Sequence, residues 1–178
     1  MSLKRPAAGG ESCIAGFFYG AVIQWKLDIR SRSLLVTCYI VPLLFFLLMG
    51  GIFTSVMPEM RSTLIQTMIV MNVSMGACIG LLPSLIETYG SDVKKVYKAN
   101  GVPFGFGLVT MLLSAFVHLL LSCSIVLLLA PVLFEAALPA QLPVFFAGLA
   151  VYIIASLSVG SILGLAVKNQ AKLTMIAQ

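Results

Sequence analysis

Apolar and polar positions along this chain fall into long blocks. Uncharged, strongly apolar tracts run over Leu34 to Met57, Ser62 to Ile86, Ala99 to Phe134 and Ala136 to Val167. Each can hold the roughly 20 residues that a helix needs to cross about 30 Å of hydrocarbon. The tracts lack the alternation of a barrel strand, and lipid offers backbone N–H and C=O groups no partners, so the blocks predict helices. The fold class expected is all-α: a polytopic membrane helical bundle with about four transmembrane helices, over about 34–57, 63–86, 104–130 and 142–167, within a membrane domain of 33–178.

The pattern before the first tract is different. Residues 1–10 are small and polar and read as a disordered tail; Lys4 and Arg5 are not followed by the compact apolar region of a cleaved signal peptide. Over 11–32, Ile14, Phe17, Phe18, Ala21, Val22 and Trp25 recur at helical spacing, while Gln24, Lys26, Asp28 and Arg30 add polarity toward the end. This predicts an interfacial amphipathic helix, with Phe17, Phe18 and Trp25 at headgroup depth and Lys26, Arg30 and Arg32 facing lipid phosphate. A cytoplasmic extension of the first span is the alternative.

Polar and small residues inside the tracts mark helix contacts or a path. Pro42 predicts a bend in the first span. The second is the most polar, with Gln66, Asn72, Ser74, Gly76, Gly80 and Pro83, and its Gly76/Gly80 pair has the spacing that lets two helix backbones approach closely. In the third, Pro103, Gly105 and Gly107 at the start and Pro131 near the end suggest a helix from about Phe104 to Ala130, and His118 lies near its middle. A titratable group there is either a neutral imidazole bonded to a neighbouring helix or part of a proton relay. No Asp, Glu, Lys or Arg lies within the tracts to pair with it. Ser156, Gly160 and Gly164 form a small-residue stripe in the fourth span. After Lys168 and Lys172 a further apolar segment, Leu173 to Ala177, begins, so a partial chain is expected.

Charge changes the picture by fixing orientation. Of 11 Lys and Arg in this 178-residue chain, only Arg61 falls on the far side of a four-crossing bundle. Basic loops are retained in the cytoplasm, so both ends should be cytoplasmic. The net charge of +5 flanks apolar tracts and forms no contiguous stripe, which argues against a nucleic-acid partner. With 60% hydrophobic and 10% charged residues, a soluble domain is excluded. Cys13, Cys38, Cys78 and Cys123 are widely spaced and read as small packing residues, not as metal or redox groups.

The loop between the second and third spans, Glu87 to Pro103, carries the remaining signals. Ser91 can cap a short helix over 91–100, Asp92 suits its positive end, Lys94, Lys95 and Lys98 suit its negative end, and Gly101 can stop it. Val93, Val96 and Tyr97 then share one face opposite the lysines. That ridge suits either the membrane surface or a groove in a cytoplasmic partner.

A basic amphipathic helix before the first span, a proline in that span, the loop ETYGSDVKKVYKANGVP and a fourth span ending SVGSILGLAVKNQAKLTMIAQ together resemble the permease subunits of type-2 ABC transporters, without the family's last spans. The resemblance implies that Ser91 to Asn100, with Glu87 at its entrance, is a coupling helix docking on a separate ATP-binding subunit. It also implies that Ile14 to Arg32 is the family's interfacial connecting helix. The function expected is a permease subunit of an exporter in the plasma (inner) membrane, working as a homodimer or with a paired permease. Gln66, Asn72, Ser74 and Ser156 are the polar candidates for its path, and membrane lipid is its other partner. The chain has no GxxxxGK[ST] run, no HExxH and no GxSxG, so neither its own ATPase activity nor other enzymatic chemistry is expected, and no cofactor. A non-transporting membrane scaffold or assembly subunit is the alternative.

Overall fold

The computed structural model describes residues 10–81, 85 and 104–166, with side chains from Phe17 onward apart from 33, 81, 104 and 166. The described chain is all-helical. Its elements are α1 (Gly10–Arg30), α2 (Arg32–Leu35), a π-helical turn (Val36–Ile40), α3 (Val41–Val56), a 3-10 turn (Pro58–Ser62), α4 (Leu64–Met75), a second π-helical segment (Gly76–Leu81), α5 (Phe104–Phe134) and α6 (Leu142–Ala166). Three runs are long and apolar enough to cross a membrane: Val36–Val56, Gly105–Phe134 and Leu142–Leu165. Leu64–Gly80 is a shorter apolar helix. The coupling helix expected over 91–100, with Glu87, Ser91, Asp92, Val93, Lys94, Lys95, Val96, Tyr97 and Lys98, lies outside the described residues.

The helices alternate in direction. Asn72 of α4 meets Ser122 of α5, and Gly76 meets Leu119, so α4 and α5 are antiparallel. The pairs Phe17–Phe106, Asp28–Ser114, Tyr39–His118 and Phe46–Phe134 advance together along both chains. Helices α1 and α3 therefore form a rod, broken near Ser31, that runs parallel to α5. Helix α1 ends at Arg30 and packs on the N-terminal half of α5, with the Phe106 ring edge-on to Phe17 at 5.6 Å. Phe18, Trp25, Lys26, Arg30 and Arg32 remain exposed.

The connection from α3 to α4 and that from α5 to α6 close together at one end of the bundle. Ala137 N–H donates to the Arg61 carbonyl at 3.1 Å, and the Arg61 guanidinium pairs with Glu135 at 2.7 Å. The third tract was expected to be helical only to Ala130, yet α5 continues through Pro131 to Phe134. Pro131 removes one donor only, and the last turn is tied by Glu135 N–H to the Pro131 carbonyl and Ala136 N–H to the Ala130 carbonyl.

Phe46, Leu64, Ile65, Val73, Leu119, Val126 and Ile153 form the buried centre. The outer surface is equally apolar: Leu48, Val56, Leu128, Val132, Val151 and Ile162 are exposed. An apolar surface wrapped around an apolar centre is unsuited to water and suited to lipid.

Candidate functional site

A buried polar seam runs up the face of α5 that meets α1, α3 and α4. It is built from Thr110, Ser114, His118 and Ser122, spaced four residues apart and therefore stacked on one face of the helix, all of them buried. Ser114, His118 and Ser122 each meet a different neighbour, whereas the Thr110 hydroxyl donates back to the Phe106 and Gly107 carbonyls of its own helix.

At the level of Ser114, the Ser114 hydroxyl donates to Asp28 Oδ2 at 2.5 Å, and the Gln24 amide donates to Oδ1 at 2.9 Å. Both carboxylate oxygens thus accept a hydrogen bond, the arrangement that suits an ionised group. Among the described residues no Lys or Arg pairs with Asp28. The sequence had placed Asp28 on the surface of an interfacial helix and left His118 without an acidic neighbour. The docking of α1 on α5 corrects this, because Asp28 and His118 line the same cavity.

One turn further along, His118 Nδ1 lies 2.7 Å from the Tyr39 hydroxyl, and the two rings meet edge-on at 5.8 Å. Tyr39 is three residues into the Val36–Val56 run, about 4.5 Å from its start at the α-helical rise. His118 is central in α5 but stands near the Arg30/Arg32 end of the span beside it. The cavity between these groups has a volume of about 30 Å³ and is walled by Asp28, Cys38, Gly76, Gly80, Ala115 and His118. That is close to the share of one water molecule.

The next level answers the bend expected at Pro42. Proline has no N–H to offer the preceding turn. A π-helical turn over Val36–Ile40 precedes Pro42, with Val41 N–H reaching five residues back to the Val36 carbonyl, and the Cys38 carbonyl accepts from the Ser122 hydroxyl at 3.0 Å. The Asn72 amide closes the group by donating to Ser122 Oγ at 2.9 Å. Three segments distant in sequence are thereby tied at one oxygen atom.

The other sequence candidates are distributed around this seam. Gly76 is buried against Leu119, and Gly80 faces Cys38, where an added Cβ would stand 3.1 Å from the sulfur. Ser74 is exposed, with its hydroxyl 2.9 Å from Tyr152 of α6. Gln66 is exposed on α4, whereas Ser156 is half-buried and Gly160 buried on α6. The structure therefore brings Asn72, Gly76, Gly80 and His118 together and leaves Gln66, Ser74, Ser156 and Gly160 apart from them. Cys38 and Cys123 are buried free thiols within the packing. Among the described residues no three His, Cys, Asp or Glu side chains are close enough to share a metal ion.

Sequence reading missed Asp28, Tyr39, Thr110, Ser114 and Ser122. The spacing of four along α5 was the available signal for three of them; Asp28 and Tyr39 needed the docking of α1 and α3. Comparison with models of protein families, with curated proteins and with solved structures returned no match.

Proposed function

We propose that the chain is the permease subunit of an ATP-driven exporter, a bundle of four membrane crossings coupled through its cytoplasmic connection to a separate ATP-binding subunit and paired with a second permease copy. The observation that carries this reading is the position of the polar seam. The cavity walls come from the two helices that the basic 82–103 connection joins: Gly76 and Gly80 at the end of the α4 side, and Ala115, His118 and Leu119 near the middle of α5. A pull on that connection acts directly on the least apolar part of the bundle. Closely packed helices with two discrete arrangements can turn such a pull into a shift of population between closed and open forms. In this reading Val93, Val96 and Tyr97 grip the partner, both ends are cytoplasmic, and the helix over 11–32 rests at the inner face of the plasma (inner) membrane.

The test is co-purification of the tagged chain from native membranes. A soluble subunit with a phosphate-binding loop should be retained by the wild type and lost when Val93, Val96 and Tyr97 are changed together to aspartate. Retention of no ATPase by the wild type would favour the scaffold alternative and overturn the proposal.

A further inference from the structure

We infer that the hairpin made by α3, the 3-10 turn and α4 is a gate, which pivots on the two π-helical segments and swings its tip away from the α5–α6 connection. The pivot is built from both strands of the hairpin. Val36–Ile40 leads into α3 and Gly76–Leu81 leads out of α4, and the two segments meet: a Cβ added at Gly80 would stand 3.1 Å from Cys38 Sγ. Helices kink at π-helical turns and at proline, and Pro42 lies beside the first segment. Polar ties to the neighbouring helices gather at the same level. Asn72 donates to Ser122 and Ser122 to the Cys38 carbonyl, while the Tyr152 hydroxyl of α6 meets Ser74 and the Val70 carbonyl.

Between the pivot and the tip, no hydrogen bond joins the hairpin to α5 or α6 among the described residues. The hydroxyls of Thr54, Ser55 and Thr67 donate back to the Gly50, Gly51 and Thr63 carbonyls of the hairpin itself. Contact across this stretch is apolar, through Phe46, Leu64 and Ile65 on the hairpin and Val126, Ala130 and Phe134 on α5. Lipid chains are as apolar as these side chains, so no hydrophobic force opposes their separation and packing alone holds them. The tip is closed by a latch with costs of its own. Ala137 N–H donates to the Arg61 carbonyl and the Arg61 guanidinium pairs with Glu135, but Arg61 Nε is buried without a hydrogen-bond partner among the described residues. Glu135 also holds a left-handed backbone, φ 52°, in the closed form. Release of the tip gives Nε access to water and lets Glu135 relax. Two bendable turns at one end, an unbonded apolar seam and a strained latch at the other together make a hinged element.

Distances between spin labels test this on the full chain in lipid nanodiscs, with its four cysteines replaced. Labelled cysteines go to exposed positions in pairs: Glu59 with Gln141 across the tip, and Val70 with Val151 at the pivot. Double electron–electron resonance should give a short and a long distance for the tip pair and one distance for the pivot pair. An exposed ion pair shifts such an equilibrium by about twofold to fivefold, so Glu135→Gln should raise the long-to-short ratio at the tip by that factor and leave the pivot pair unchanged. A single tip distance, or a ratio that Glu135→Gln does not move, overturns the gate. Lengthening at both pairs together overturns the pivot. If the cysteine-replaced chain does not fold, amide hydrogen exchange of the wild type decides. Residues 37–41 and 77–81 should exchange faster than 115–119 of α5, which stand at the same depth around one cavity, and equal or slower exchange overturns the hinge. None of these measurements involves an ATPase partner, so their outcome is separate from that of the transporter proposal.

Discussion

Replacing Ser122 with alanine removes a single oxygen atom and leaves almost no cavity, so its effect isolates the hydrogen bonds at the Pro42 break. The Ser122 hydroxyl has one proton, which goes to the Cys38 carbonyl at 3.0 Å or to Asn72 Oδ1 at 3.3 Å, and it accepts from the Asn72 amide at 2.9 Å. Two bonds are therefore lost at a time. Hydrogen bonds between membrane helices average about 0.6 kcal/mol, while a buried carbonyl left without any donor costs about 1–3 kcal/mol. The Cys38 carbonyl loses its side-chain donor, and the bond between Asn72 and Ser122 goes with it. The expected loss is about 1–2 kcal/mol, roughly five- to thirtyfold in the folding equilibrium. Asn72→Ala removes the second of these bonds, so in that background Ser122→Ala should cost about 0.6 kcal/mol less. Reversible unfolding in bicelles, run on the four members of the cycle, measures it. A Ser122→Ala loss below about 0.5 kcal/mol, or the same loss in both backgrounds, would refute the assignment of Ser122 as the link between α4 and the π-helical turn.

Two glycines, one tightly packed and one open, give predictions of opposite sign. Alanine at Gly50 would place a Cβ 2.6 Å from the Phe134 ring, so the overpacking of about 1–3 kcal/mol should exceed a helix-propensity gain of about 1 kcal/mol, and the protein should unfold more readily. At Gly148 nothing lies within 4 Å, and the same change should raise stability by up to about 1 kcal/mol in the same assay. Glu135 holds a left-handed backbone (φ 52°), a conformation that costs a non-glycine residue about 1–2 kcal/mol. Its ion pair with Arg61 is 43% and 79% exposed and contributes no more than about 1 kcal/mol, so Glu135→Gly should be neutral or stabilising by unfolding. A loss above about 1 kcal/mol there would mean that the outer loops depend on that pair.

What the sequence carried and what it concealed follow from the range of the interactions. The apolar blocks contain the Val36–Val56 and Leu142–Leu165 runs because lipid rewards uninterrupted hydrophobicity residue by residue, a local property. Gly76 and Gly80 were visible because a small residue every four positions leaves a groove whatever fills it, though Leu119 and Cys38 as the fillers were not. Asp28 was misplaced for the converse reason. Among Gln24, Lys26 and Arg30 it looks like one more solvated residue, and only the parallel docking of α1 along α5 turns it inward. The Thr110, Ser114, His118 and Ser122 stripe was legible as spacing, yet its hydroxyls are common enough in membrane helices that only the titratable member stood out. Pro42 announced a missing hydrogen bond but could not show that Ser122, 80 residues away, donates to the turn before it.

A permease role requires four crossings with the 82–103 connection on the inner side, and single cysteines placed in a cysteine-free background test it directly. With a membrane-impermeant maleimide on intact cells, cysteine at Glu59 or at Ala137 should label without permeabilisation, because their loops meet at one end of the bundle through Arg61. Cysteine at Lys95 should label only after the membrane is opened. Labelling of Lys95 from outside, or protection of one outer-loop site while the other reacts, would contradict the four-crossing arrangement and the coupling role built on it.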